Sequence, residues 1–217
     1  MGDLASARIN MVDGQILTND VQDPHVLQAM RTVLREKFLP ASDAARAYAD
    51  VETPLEGGRA ILMPLTFARL LQLAEVGTGD LVLDIGCATG YSAAVLAELA
   101  DSVVALESDA DLAAQATETL SALDVDNVAV VQGPLSKGYA AEAPYDVIFV
   151  NGSVEEVPQD LTAQLAPGGR LVVIIGTGRV GRATVLTKTG KKTGQREAFD
   201  AAAAALPDFR RDAAFSF

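Results

Sequence analysis

Residues 81–92 read Leu-Val-Leu-Asp-Ile-Gly-Cys-Ala-Thr-Gly-Tyr-Ser. The run 81–85 has the length and apolar character of a buried strand, broken only by Asp84 near its end. Gly86 and Gly90 follow, and glycines at a strand-to-helix turn let the backbone bend tightly and come close to a ligand. Outward from this loop, 92–100 is an alanine-rich helix and 110–123 a helix with an acidic outer face. The short apolar runs 102–106, 127–131, 147–150 and 171–175 read as further strands. Buried strands alternating with helices predict an α/β, doubly wound, mostly parallel sheet covered on both faces. Pro167-Gly168-Gly169 is a turn feeding the last of these runs. Residues 185–188 and 213–217 are expected as late antiparallel strands, giving the sheet a C-terminal antiparallel part.

Glu107 stands at the end of the strand after the loop, the place where Rossmann-like sites put a carboxylate that accepts ribose hydroxyls. The loop itself, Gly86-Cys87-Ala88-Thr89-Gly90, lacks the G-x-G-x-x-G spacing wanted by a pyrophosphate and has no Walker lysine. Asp84 beside it would repel a phosphate. S-adenosylmethionine has a ribose, an ammonium and a sulfonium but no phosphate, and the pair Asp84 and Glu107 suits those groups. The reading is therefore a Rossmann-like S-adenosylmethionine-dependent methyltransferase fold.

Composition bounds the rest. The chain has 217 residues, enough for one α/β domain, and 49% of them are hydrophobic, which excludes a disordered chain. We expect a single domain over 1–217, with an N-terminal helical cover over 1–80 and the Rossmann-like core over 81–217. In the cover, 23–36 and 64–76 read as helices flanking an irregular loop at Thr53-Pro54-Leu55-Glu56-Gly57-Gly58. A net charge of -12 argues against non-specific nucleic-acid binding, and the basic stretch 179–196 is read as a solvated strand-turn region. No apolar run is long enough to span a bilayer, and residues 1–20 show no basic segment followed by an apolar one. A lone cysteine, Cys87, makes no internal disulfide, so the cytoplasm is the expected compartment. With one histidine, His25, and one cysteine, no metal site is expected.

Other stretches carry a family resemblance. Met11-Val12, Val26 to Met30, Arg35-Glu36-Lys37-Phe38-Leu39-Pro40 and Ala47-Tyr48-Ala49-Asp50 resemble the opening of protein-L-isoaspartate O-methyltransferases. Residues 81–100 and 143–173, the latter beginning Ala-Pro-Tyr-Asp, resemble the core of that family. The resemblance implies methyl transfer to the carboxylate of isoaspartyl residues in damaged proteins. It implies cofactor contacts at Ile61, Asp84, Gly86, Cys87, Ala88, Gly90, Glu107, Ser108, Gly133 and Pro134. It also implies departures. The family's substrate loop T-I-S-x-P-H stands here as Ala60-Ile61-Leu62-Met63-Pro64-Leu65, so Leu62 replaces the serine and Leu65 the histidine. Ala88 replaces the middle glycine of the cofactor loop, and Pro134 an acid after Gly133.

An isoaspartyl carboxylate has a pKa near 4 and is already ionised at neutral pH, so its methylation needs orientation and dryness but no general base. Leu62 cannot donate the hydrogen bond of a serine. Arg59 is either a replacement that grips the substrate carboxylate through its fork or an exposed loop arginine. Three functions follow: an isoaspartyl methyltransferase, a methyltransferase with a changed acceptor, or a non-catalytic S-adenosylmethionine-binding relative. The expected partners are isoaspartyl proteins or peptides, without nucleic acid or membrane, for a monomer or homodimer.

Overall fold

A computed structural model of the chain describes residues 3–177, 180–190 and 192–209. The chain opens with α1 (Leu4–Met11), capped by the Asp3 carboxylate, and continues through a wide turn at Val12–Ile16. Next comes α2 (Pro24–Thr32), started by the Asp23 cap and by proline in its first turn. A two-residue-per-strand hairpin of β1 (Thr53–Pro54) and β2 (Ala60–Ile61) precedes α3 (Pro64–Ala74). Then follow β3 (Leu81–Ile85), α4 (Tyr91–Ala97), β4 (Ser102–Glu107), α5 (Ala110–Ala122) and β5 (Val128–Gln132). The chain continues with β6 (Tyr145–Val154), α6 (Gln159–Ala163), β7 (Leu165–Thr177), β8 (Val180–Thr189) and β9 (Lys192–Ala201).

The seven-stranded sheet has the order β5-β4-β3-β6-β7-β8-β9. Its first five strands run parallel and β7-β8-β9 form antiparallel pairs. The chain moves outward from β3 to β5 and then crosses back to β6 on the other side of β3. That reversal opens a crevice at the carboxyl end of β3, where open α/β sheets bind ligands. Side chains alternate across the strands: Val82 joins one buried cluster while Leu83 and Ile85 join the other. The first cluster includes Met11, Val12, Ile16, Met30 and Phe38 with Phe67, Tyr91 and Phe149, so the N-terminal helices share a core with one face of the sheet.

One expected boundary changes. The helix foreseen over 23–36 stops at Thr32, because Val33 turns extended and Arg35 is drawn inward to the carbonyls of Ala47 and Leu62. The described part of the basic stretch lies in the β8-β9 hairpin, in keeping with the solvated strand-turn region expected there, but β9 as a strand was not foreseen: most of its side chains are exposed, so no apolar alternation marks it. The strand expected over 213–217 lies outside the described residues.

Candidate functional site

Asp84 reaches the crevice from the penultimate position of β3 and is fully buried. Ser92 Oγ donates to its Oδ2 at 2.7 Å, and Asn151 Nδ2 donates to its Oδ1. Burial pushes its carboxyl up to about 7, against the downward pull of those two donors; the charge of Glu107 adds to the rise and Arg59 offsets part of it. The loop that follows holds three residues in the left-handed region, Gly86 at φ 75°, Ala88 at 51° and Gly90 at 96°. Only Ala88 carries a side chain there, at a cost of about 1–2 kcal/mol. Glycine, which Ala88 replaces in the family's loop, would relieve it.

Glu107 closes β4 and is 0% exposed. Its Oε2 accepts the Ala88 amide at 2.8 Å, and its Oε1 accepts the amides of Ser108 at 2.8 Å and Asp109 at 3.1 Å and the Ser108 hydroxyl at 3.3 Å. The fifth donor is Arg59, whose Nη1 lies 2.5 Å from Oε1 while Nη2 donates to the Gly86 carbonyl at 3.0 Å. Gly133 joins the group by donating its amide to the Glu107 carbonyl at 3.0 Å, and Pro134 follows it at the exposed end of β5.

Arg59 thus differs from both sequence alternatives. It is neither exposed nor offered to a substrate: only 4% of its surface is accessible, and its fork is spent on Glu107 and Gly86. The reason is topological, because the β1-β2 hairpin folds back over the glycine turn. Leu62 is also buried, at 4% exposure, in the cluster with Phe67 and Tyr91. Its carbonyl is held by Arg35 Nη2 at 2.9 Å. Ile61, Leu62, Gly86, Cys87 and Ala88 surround a cavity of about 10 Å³ together with Tyr91, Ser92 and Asn151, room for about one water molecule. Cys87 is no nucleophile, since burial and then the charges of Asp84 and Glu107 push its thiol well above the ordinary range.

Sequence reasoning missed Asn151, which orients Asp84, and Leu206, which packs against Gly86 and Gly152 from a segment bonded to Ser153. A polar residue ending an apolar strand could have flagged the first; nothing local flags the second.

The donor set fits S-adenosylmethionine. Glu107 presents a buried carboxylate oriented by backbone amides, the chemistry a ribose diol needs, and the left-handed turn leaves a cradle in which a cationic group, the Arg59 guanidinium, is already seated: a Cβ on Gly86 would lie 2.9 Å from its Nη2. Fold and site together define the class, a Rossmann-like S-adenosylmethionine-dependent methyltransferase. The profile of the Protein-L-isoaspartate(D-aspartate) O-methyltransferase family matches residues 8–203, and the chain belongs to that family. The protein-L-isoaspartate O-methyltransferase of Koribacter versatilis is 41% identical over 170 residues, covering 78% of this chain and 77% of that protein. That of Methanoregula boonei is 41% identical over 185 residues, 85% of each. A solved protein-L-isoaspartate O-methyltransferase superposes with a TM-score of 0.80 at 26% identity, over 93% of this chain and 65% of that one. A putative relative from Plasmodium falciparum, solved with S-adenosyl-L-homocysteine, shares the fold with a TM-score of 0.78 at 21% identity, over 95% of this chain and 99% of that one.

Proposed function

We propose that this protein methylates the free carboxylate of isoaspartyl residues in damaged proteins, using S-adenosylmethionine. The observation that carries the proposal is the acid–glycine–acid arrangement of Asp84, Gly86 to Gly90 and Glu107 at the switch point of the sheet, in a chain of this family. Bound cofactor supplies a methyl group on a positively charged sulfur. Glu107 would hold the ribose hydroxyls, and Asp84, kept in place by Ser92 and Asn151, would face the cationic part. Ile61, Leu62, Phe67 and Tyr91 give the cavity beside the glycine turn an apolar wall that would limit water there. A dry site favours a carboxylate oxygen as nucleophile, because its attraction to a positive sulfur is screened less than in water. No side chain has to take a proton. The remaining parts of the reading are one domain over 1–217, a cytoplasmic setting, and isoaspartyl peptides as partners of a monomer or homodimer. Among the described residues, no helix is long and apolar enough to cross a membrane.

The burial of Leu62 supports a second reading, in which the acceptor has changed or catalysis has been lost. A labelled-methyl assay separates the two. Transfer to an isoaspartyl peptide but not to its aspartyl twin supports the first, whereas cofactor binding without transfer to either supports the second.

A further inference from the structure

Five donors converge on the Glu107 carboxylate, more than the roughly four lone-pair positions such a group offers. Three of them are backbone amides fixed by the turn at Ala88 and by the start of α5. The Ser108 hydroxyl is long, at 3.3 Å. The donor that a ribose diol can displace is the Arg59 guanidinium, which also covers the Gly86 carbonyl. We infer that Arg59 is a built-in competitor for the cofactor: its guanidinium occupies the ribose position on Glu107, and binding requires it to leave. The inference rests on the cofactor reading above and deepens it, naming the residue that sets cofactor affinity.

The hairpin makes the exchange possible without unfolding. Leu55 donates its amide to the Arg59 carbonyl at 2.8 Å and Arg59 its own to the Glu56 carbonyl at 3.2 Å, so the backbone turn stays closed while the long side chain changes rotamer. Gly57 at φ 64° and Gly58 at φ 74° precede Arg59 on the exposed side of that turn. The Asp109 carboxylate lies against Gly57, with Oδ2 3.7 Å from the position of a Cβ there, and Glu56 is exposed beside it. Both offer the released cation a partner outside the cradle.

The competition lowers apparent affinity by the fraction of molecules in which the cradle is open. Arg59→Gln keeps a neutral donor at the hairpin and removes the ion pair. Titration calorimetry with S-adenosylhomocysteine should show the variant binding at least about tenfold more tightly than the wild type. Stopped-flow binding should reach a plateau rate with ligand concentration in the wild type, set by Arg59 release, and rise linearly in the variant. Equal affinities, within about twofold, would overturn the competitor role and leave the cofactor reading standing. Binding by neither protein, both folded by circular dichroism, would overturn the cofactor reading and the competitor role with it. Should Arg59→Gln fail to fold, a crystal structure of the wild type grown with S-adenosylhomocysteine decides. Arg59 found away from Glu107, with the ribose in its place, supports the inference; Arg59 still bonded to Glu107 beside bound ligand refutes it.

Discussion

Single residues decide how much of the site can be read from the sequence. Asp84, Gly86, Gly90 and Glu107 were legible because their roles are local: a strand end, two turn positions and the next strand end. The position of Arg59 was not, because it depends on a hairpin closing 48 residues away from Glu107. Asp84 carries a pH signature. Its carboxyl sits at about 7 in the fold and near 3.8 in the unfolded chain, so the native state binds its proton more tightly. Its contribution to stability is complete below about pH 4, declines as the pH rises, and is gone above about pH 7. Urea unfolding between pH 5 and 8 should therefore show a falling stability that Asp84→Asn flattens; parallel curves would contradict the burial argument. Ala88 offers a second test. Ala88→Gly removes left-handed strain of about 1–2 kcal/mol and gives back part of it as unfolded-state entropy. The expected result is unchanged stability or a gain of up to about 1 kcal/mol by urea titration. Leu62→Ser should cost about 2–5 kcal/mol, since it empties a packed site and buries a hydroxyl. If Leu62 limits isoaspartyl activity, the variant should nevertheless transfer methyl groups faster per folded molecule.

Elements show why some segments were invisible in the sequence. Alternating apolar strands and helices announced β3 to β7, because the central strands β3, β4 and β6 are buried almost throughout and the edge strand β5 still carries an apolar run. Helix α1 buries only Met11, and β9 leaves most side chains in solvent, so neither has the periodicity that marks an amphipathic element. The elements that position the site are joined by aromatic contacts. Phe38 meets Tyr91 with ring centroids 5.8 Å apart, Tyr91 meets Phe67 at 5.5 Å, and Phe67 meets Phe149 at 5.6 Å. This row runs from the N-terminal cover through α4 and α3 into β6. Thr89 Oγ1 adds a bond of 2.6 Å to the Phe38 carbonyl, tying the cover to the glycine loop. Phe67→Ala should cost about 3–5 kcal/mol in urea unfolding, the range for a buried phenylalanine. A loss below about 1 kcal/mol would mean that the cover is not packed onto the sheet as described.

For the whole molecule, the order β5-β4-β3-β6-β7-β8-β9 puts the reversal point, the two buried carboxylates and the hairpin of Arg59 at one end of the sheet. The parallel part was foreseen from the order of strands and helices; the folding of 203–206 beside Ser153 was not, since it is a long-range pairing with no local signal. A net charge of -12 opposes the approach of an anionic substrate, so isoaspartyl peptides with flanking lysines should show a lower KM than acidic ones, and the difference should shrink with added salt. The most direct test of the account is transfer of labelled methyl from S-adenosylmethionine to an isoaspartyl peptide, measured beside the same peptide with normal aspartate. The account predicts base-labile label on the isoaspartyl peptide only; no label on that peptide, or equal label on both, would contradict it.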